Sequence, residues 1–340
     1  TEIGGQNSGS NIDNSFTIAY SLDGLDYMGV KDSSNILHAV YDIIYDSSRN
    51  IWLAAGEGEN YSLAYSYDGI EWKGIENSKG SNFSTRGRVL NADTNLIVAG
   101  GEGTRTAAYS SDGLNWTYIQ IYAGTQTMMD LIYHESTGRH YGVFVDSAPP
   151  YEHIKYSTNG STWTGINVQT LYSGLASCTA IGTNGSRIVV GFLNINFGSG
   201  GNFHHMIYSD DNGSNWNDCS TNNNEFVSKL FTLQALSIKY ANGIWIAGGQ
   251  QYTSNPHEGY TIARSSDGII WTGVSGSTDL MKKVNDVEWN GVRWVATGGQ
   301  GSQSVLYSDD NGLTWSVVTD SSKNLINLGL GIGVTGSKNT

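Results

Sequence analysis

Basic residues, prolines, cysteines and long apolar runs are all scarce in this sequence, and each scarcity removes a class of protein. Eighteen lysines and arginines stand against 31 aspartates and glutamates, for a formal net charge of −13. The clustered positive charge that nucleic acid or an anionic membrane surface demands is therefore not expected. Nothing approaches the roughly 18-residue apolar run of a membrane-spanning helix, so no membrane insertion is expected. The opening TEIGGQNSGS lacks a basic stretch followed by an apolar one, so no signal peptide is read in this numbering; one already removed would leave no trace. Cys178 and Cys219 are the only cysteines. The strand layout derived below puts them on the inner and outer strands of one sheet, too far apart to bridge, and both are expected as free thiols.

Helical apolar periodicity is missing as well, while what is abundant suits strands. Against three prolines stand 44 glycines and 20 tyrosines, with aromatics at 11%, a composition for many short strands joined by tight turns. The stretch VLYSDDNGLTWSVV (305–318) has six relatives in the same chain: IAYSLDGLDYMGV (18–30), LAYSYDGIEWKGI (63–75), AAYSSDGLNWTYI (107–119), IKYSTNGSTWTGI (154–166), IYSDDNGSNWNDC (207–219) and IARSSDGIIWTGV (262–274). Their closing aromatics are Tyr27, Trp72, Trp116, Trp163, Trp216, Trp271 and Trp315, about 44 to 55 residues apart. Between knots the chain writes a hairpin, as in NDVEWNGVRWVATGGQG (285–301), where Asn290-Gly291 predicts a two-residue turn. Each repeat thus holds strands A and B around the hairpin and strands C and D around the knot. A single four-stranded sheet cannot bury both faces, so the sheets must stack around an axis. The predicted fold is all-β: one domain over residues 1–340, a seven-bladed β-propeller. Its ring is closed by strand A from NLGLGIGVTGSK (327–338), which pairs with strands B to D from the N-terminus.

The frame Ser-x-Asp-x-Gly-x-x-Trp resembles the Asp-box, also called the BNR repeat. SDDNGSNW (209–216) and SDDNGLTW (308–315) match it in full; the copies at 66–72, 110–116 and 265–271 are one residue shorter, and the copy at 157–163 carries Asn159. Physically, a short carboxylate or amide accepts hydrogen bonds from its own turn, glycine takes a φ that other residues resist, and the aromatic packs between sheets. Asp23, Asp68, Asp112, Asn159, Asp211, Asp267 and Asp310, with Trp72, Trp116, Trp163, Trp216, Trp271 and Trp315, are accordingly expected to be structural. The resemblance implies the same, with the turn remote from the binding face.

Function is then expected on the opposite face, built from the B-to-C and D-to-A loops, several of which are long. Tyr151, Asn196, Phe197, Phe203, His204, Tyr252 and His257 are the candidate ligand residues, because amide, imidazole and aromatic groups suit polyhydroxylated ligands. The polar residues that end most B strands, Gln6, Glu57, Glu102, Asp146, Gln250 and Gln300, either ring the channel mouth or only bond loop backbone. His204 and His205 are adjacent and would diverge in a strand, and no other metal-ligand spacing occurs, so neither metal nor cofactor is expected.

Sialidases share the Asp-box, and their chemistry uses three arginines, a Tyr with a Glu partner, and an Asp acid. Here Arg49, Arg139, Arg187 and Arg293 fall at hairpins on the wrong face and Arg264 lies in a C strand. Only Arg86, Arg88 and Arg105 remain, clustered in adjacent blades. The expectation is a non-enzymatic binding propeller, lectin-like with a glycan ligand or displayed on a virion or cell surface. The phrasing AYSxDGxxW resembles repeat proteins of large DNA viruses and microbial surfaces, which favours an extracellular setting over a cytoplasmic one. A structural or protein-docking propeller is the alternative, and a sialidase-type glycosidase the third reading.

Overall fold

The computed structural model describes residues 1–6, 16–121, 126–146, 153–166, 168, 177–193, 206–221, 230–231, 233–251, 259–299, 303–318 and 328–335. Successive segments pair as four-stranded antiparallel sheets in the order A-B-C-D. Ala39–Asp46, Ile51–Glu57, Leu63–Ser66 and Trp72–Gly74 form one such set, each strand hydrogen-bonded to the next. The other A strands are Arg86–Ala92, Gln126–His134, Cys178–Thr183, Gln234–Ala241 and Lys283–Trp289. Leu328–Gly333 pairs antiparallel with Glu2–Gln6, from Glu2↔Gly333 to Gln6↔Leu328, and Glu2–Gln6 continues to Ile18–Tyr20 and Met28–Gly29. Strands from the two ends of the chain thus share a sheet.

Each A strand carries a register shift against its B strand. The bulged residues are Tyr41, Arg88, Met129, Thr179, Leu236 and Asn285, with Leu330 in the C-terminal strand. A bulge bends the strand and re-aims its side chain, and all of these residues line one central channel. Small residues in B make the packing possible. A Cβ on Gly101 would come within 2.6 Å of the Arg86 carbonyl oxygen in the paired A strand, a backbone atom that cannot give way.

The hairpin turns differ from one another. Asn242-Gly243 forms the two-residue turn, Ala241 pairing with Ile244, with both turn residues at positive φ (50° and 76°). At Asn290-Gly291 the expected two-residue turn is replaced by a four-residue loop between the Trp289↔Trp294 pair. The Asn290 N–H donates to the Arg293 carbonyl (3.0 Å), and Asn290 Oδ1 accepts the N–H groups of Val292 (3.0 Å) and Arg293 (2.8 Å), so the side chain braces the loop from within.

In the knots, Asp68 Oδ1 accepts the N–H groups of Ile70 and Glu71 at 2.8 Å each, while Ser66 Oγ accepts from the Gly69 N–H at 2.9 Å. Trp72 Nε1 donates to the Gly69 carbonyl at 2.9 Å. The backbone donors of Glu71 and Ile70 hold the Asp68 carboxyl below its ordinary range. The two longer copies accommodate their extra residue as Asn212 and Asn311, each at φ 61°, a conformation asparagine tolerates. Hairpins and knots share a face, since the hairpin of one set holds the knot of the next. Arg49 Nε donates to the Ser111 carbonyl (2.7 Å), His134 Nε2 lies 3.1 Å from Asn212 Oδ1, and Asn290 Nδ2 donates to the Asp23 carbonyl (3.4 Å).

The apolar core lies between sheets rather than within them. Ile18 and Val30 of one set pack with Trp52 and Trp72 of the next; Val189 and Met206 pack with Trp245 and Trp271; Val295 and Val305 pack with Ile3 and Ile332. The closing aromatics vary in depth: Trp72, Trp216, Trp271 and Trp315 are buried, whereas Tyr27, Trp116 and Trp163 are half-buried. Both cysteines are buried, and neither is in a disulfide.

Candidate functional site

Tyr151, Asn196, Phe197, Phe203, His204, Tyr252 and His257 all lie outside the described residues, as does Gln300. The backbones of most other polar B-strand ends are engaged where neighbouring sheets meet. Gln6, Glu102 and Gln250 pair with Ala39, Thr127 and Lys283, so their backbones stitch each sheet to the next, and the Glu57 carbonyl accepts from the His38 N–H. Asp146 ends its B strand. Four arginines sit on the hairpin face. Arg49 and Arg187 reach the following knots, and Arg139, Arg187 and Arg293 stack on Tyr156, Tyr208 and Tyr307.

What the described residues bring together is the channel, of about 280 Å³. Its wall is fastened by side chains placed one residue after the bulge. Asp42 Oδ2 accepts the Leu90 N–H (2.7 Å), Asp130 Oδ2 the Ile181 N–H (2.8 Å) and Asp286 Oδ2 the Ile332 N–H (2.9 Å). Ser237 fills the same position: its Oγ accepts the Val287 N–H (3.3 Å) and donates to Asp286 Oδ1 (2.7 Å). Each bond crosses from one A strand to the next and meets the N–H two residues past that strand's bulge. These groups escaped the reading of the sequence. The signal was there in VYDII (40–44), MMDLI (128–132) and VNDVE (284–288), three inner strands with an acid at the same place in an apolar run.

One cation faces these acids. Lys239 Nζ lies 3.6 Å from Glu288 Oε2, and the quarter of its side chain left exposed looks into the channel. Burial raises Asp42 to about 8 and Asp130 and Glu288 each to about 6, although the Lys239 charge pulls all three down. Among the described residues no group of three His, Cys, Asp or Glu side chains is placed to hold a metal ion. The cluster therefore reads as an internal ion network, in which every acid is hydrogen-bonded or paired.

The mouth is where A strands begin and B strands end. Arg86 Nη1 donates to the Tyr41 hydroxyl (2.7 Å), and its Nε lies 3.0 Å from Glu102 Oε2, with Glu57 Oε2 at 3.8 Å from Nη1. Burial works against the Arg86 charge, but Tyr41, Glu102 and Glu57 outweigh it. Arg86 and Arg88 stand over the Tyr41 ring at 5.2 and 5.4 Å from its centroid. Lys283, the first residue of its strand, also lines the channel. Arg105 is not part of this group; its N–H bonds to the Asn82 carbonyl. Chemically, the mouth offers charge-assisted hydrogen bonds to a partner.

No protein-family model matches the chain, and no curated protein matches it. Among solved structures it is similar to YCF48 from Cyanidioschyzon merolae, with a TM-score of 0.51, 16% identity, and coverage of 85% of this chain and 92% of that one. YCF48 bound to D1 peptide gives 0.54 at 15% identity, covering 94% and 88%. A protein from Lactobacillus plantarum gives 0.65 at 11% identity, covering 97% of both chains. At identities this low the likeness is one of fold: with its consecutive antiparallel sheets around a channel, the chain is a β-propeller.

Proposed function

We propose that the chain is a non-enzymatic, protein-docking propeller of seven blades, closed by the pairing of Leu328–Gly333 with Glu2–Gln6, whose partner binds across the channel mouth. The observation that carries this reading is the convergence of Tyr41, Glu57, Arg86, Arg88, Glu102 and Lys283 at that mouth, on the face away from the knots. One fold neighbour, YCF48, was solved with a D1 peptide bound, which supports a peptide or protein ligand over a sugar. The non-catalytic part of the reading is supported by the employment of Arg86. Two glutamates already neutralise it, so it is poorly suited to clamp a substrate carboxylate as a sialidase arginine would. The seven-blade count is supported by the seven knots and by Asn290, whose side chain reaches the Asp23 knot across the seam.

The test is a displayed random-peptide library panned against the chain, with a glycan array run in parallel. Enrichment of peptides whose binding is lost in Arg86→Ala is expected, with a blank array. Glycan hits abolished by Tyr151→Ala or Tyr252→Ala, without peptide enrichment, would replace this reading with the lectin-like one. Turnover of a fluorogenic sialoside that disappears in Arg86→Ala would overturn its non-enzymatic part.

A further inference from the structure

Among the described residues, the four cations in the channel and at its mouth are not treated alike. Arg86 has Glu57 and Glu102, and Lys239 has Glu288 with the aspartates around it. Arg88 and Lys283 have no ion pair among the described residues, although acids outnumber bases 31 to 18 in this chain. Arg88 is a bulged residue re-aimed into the channel, where it stands over the Tyr41 ring. Its Nε is buried and finds no acceptor. Lys283 stands on a different A strand and lines the same channel. An unpaired buried donor on a charged group costs free energy unless a ligand meets it.

We infer that Arg88 and Lys283 form an anion site at the channel mouth that takes a carboxylate of the docking partner, an Asp or Glu side chain or a chain terminus. This rests on the docking reading and names the chemistry of its anchor. Three observations select a carboxylate. The guanidinium fork matches two carboxylate oxygens. The channel, at about 280 Å³, admits a side chain but little more. Below the mouth, Asp42, Asp130, Asp286 and Glu288 repel a doubly charged anion more strongly than a single carboxylate. Burial and the Arg88 charge together hold the Lys283 amine below its usual range, as two cations facing each other without an anion should be.

The depressed amine also supplies the assay, because a neutral amine acylates faster. Each lysine's reaction with an acetylating reagent is followed by peptide mass spectrometry, with exposed Lys31 and Lys73 as internal controls. The probes are N-acetylglutamate amide, which carries one carboxylate, its uncharged glutamine analogue, and inorganic phosphate, all at constant ionic strength. N-acetylglutamate amide at about four times its Kd should slow Lys283 labelling about fivefold, while the glutamine analogue does nothing and Lys31 and Lys73 do not change. Arg88→Gln should remove the protection and Arg88→Lys retain part of it, with thermal melts confirming that both variants fold. Equal labelling of Lys283 with and without the carboxylate probe would overturn the site. Equal or stronger protection by phosphate would overturn the carboxylate assignment. If library peptides bind while Lys283 stays unprotected by the carboxylate probe, the docking reading stands and this inference falls.

Discussion

Lys239→Met is expected to destabilise the chain by about 3–5 kcal/mol at pH 8, the range for removing one partner of a buried ion network. Met replaces the alkyl stem, so packing is nearly kept and the loss is electrostatic. Asp42, Asp130, Asp286 and Glu288 would be left facing one another without a counter-charge. The sign of the pH dependence follows from their titration. Asp42 titrates at about 8, and Asp130 and Glu288 at about 6, all above the ordinary carboxylate range because burial penalises the charged form. Groups raised in this way stabilise the fold fully below their unfolded values, and that contribution is lost as pH rises through the folded ones. The wild type should therefore be more stable near pH 5 than near pH 8.5. The Met variant should lose less at pH 5, where the carboxyls are largely neutral. Urea melts at the two pH values check this; a loss that is equal at both, or under about 1 kcal/mol at pH 8, would contradict the network.

Removal of residues 327–340 should abolish cooperative unfolding. The strand Leu328–Gly333 supplies Ile332 and the following Val334 to the apolar cluster with Val295 and Val305, each worth about 1.5–3 kcal/mol when buried. Its loss also strips Asp286 of the Ile332 N–H and Asn285 of the Gly329 carbonyl (2.7 Å), at about 1–3 kcal/mol for each polar group left without a partner. Those terms together rival the whole stability of a typical domain, about 5–15 kcal/mol. The bared edge of Glu2–Gln6 then becomes a template for association. Size-exclusion chromatography and near-ultraviolet circular dichroism should show aggregates without fixed aromatic packing, and a synthetic 327–340 peptide should restore the monomer. A truncated chain that stays monomeric with the wild-type melt would contradict closure by this strand.

The knots were legible in the sequence because each is local: Ser66, Asp68, Gly69 and Trp72 satisfy one another within seven residues, so the frame survives as text. The pairing of the chain ends was legible for a different reason: it is not local, but GIGV in the last segment repeats the pattern of an A strand. The channel was not. Its Asp42-to-Leu90 bond spans 48 positions, and the bulges shift every inner side chain by one place, so an alternating reading assigns these acids to the wrong face. The four-residue loop after Trp289 shows the same limit on a smaller scale. Asn290-Gly291 and Asn242-Gly243 are identical as text, yet only the second closes a two-residue turn, because Val292 and Arg293 extend the first.

The knot face has its own claim to a partner, since Leu22 and Leu313 there are 95% and 55% exposed. Hydroxyl-radical footprinting of the chain with a library-selected peptide bound decides between the two faces. Docking at the mouth predicts that oxidation of Tyr41 and Met129 falls on binding while Leu22 and Leu313 react as in the free chain. Protection of Leu22 and Leu313, with Tyr41 and Met129 unchanged, would place the partner on the knots and contradict the account.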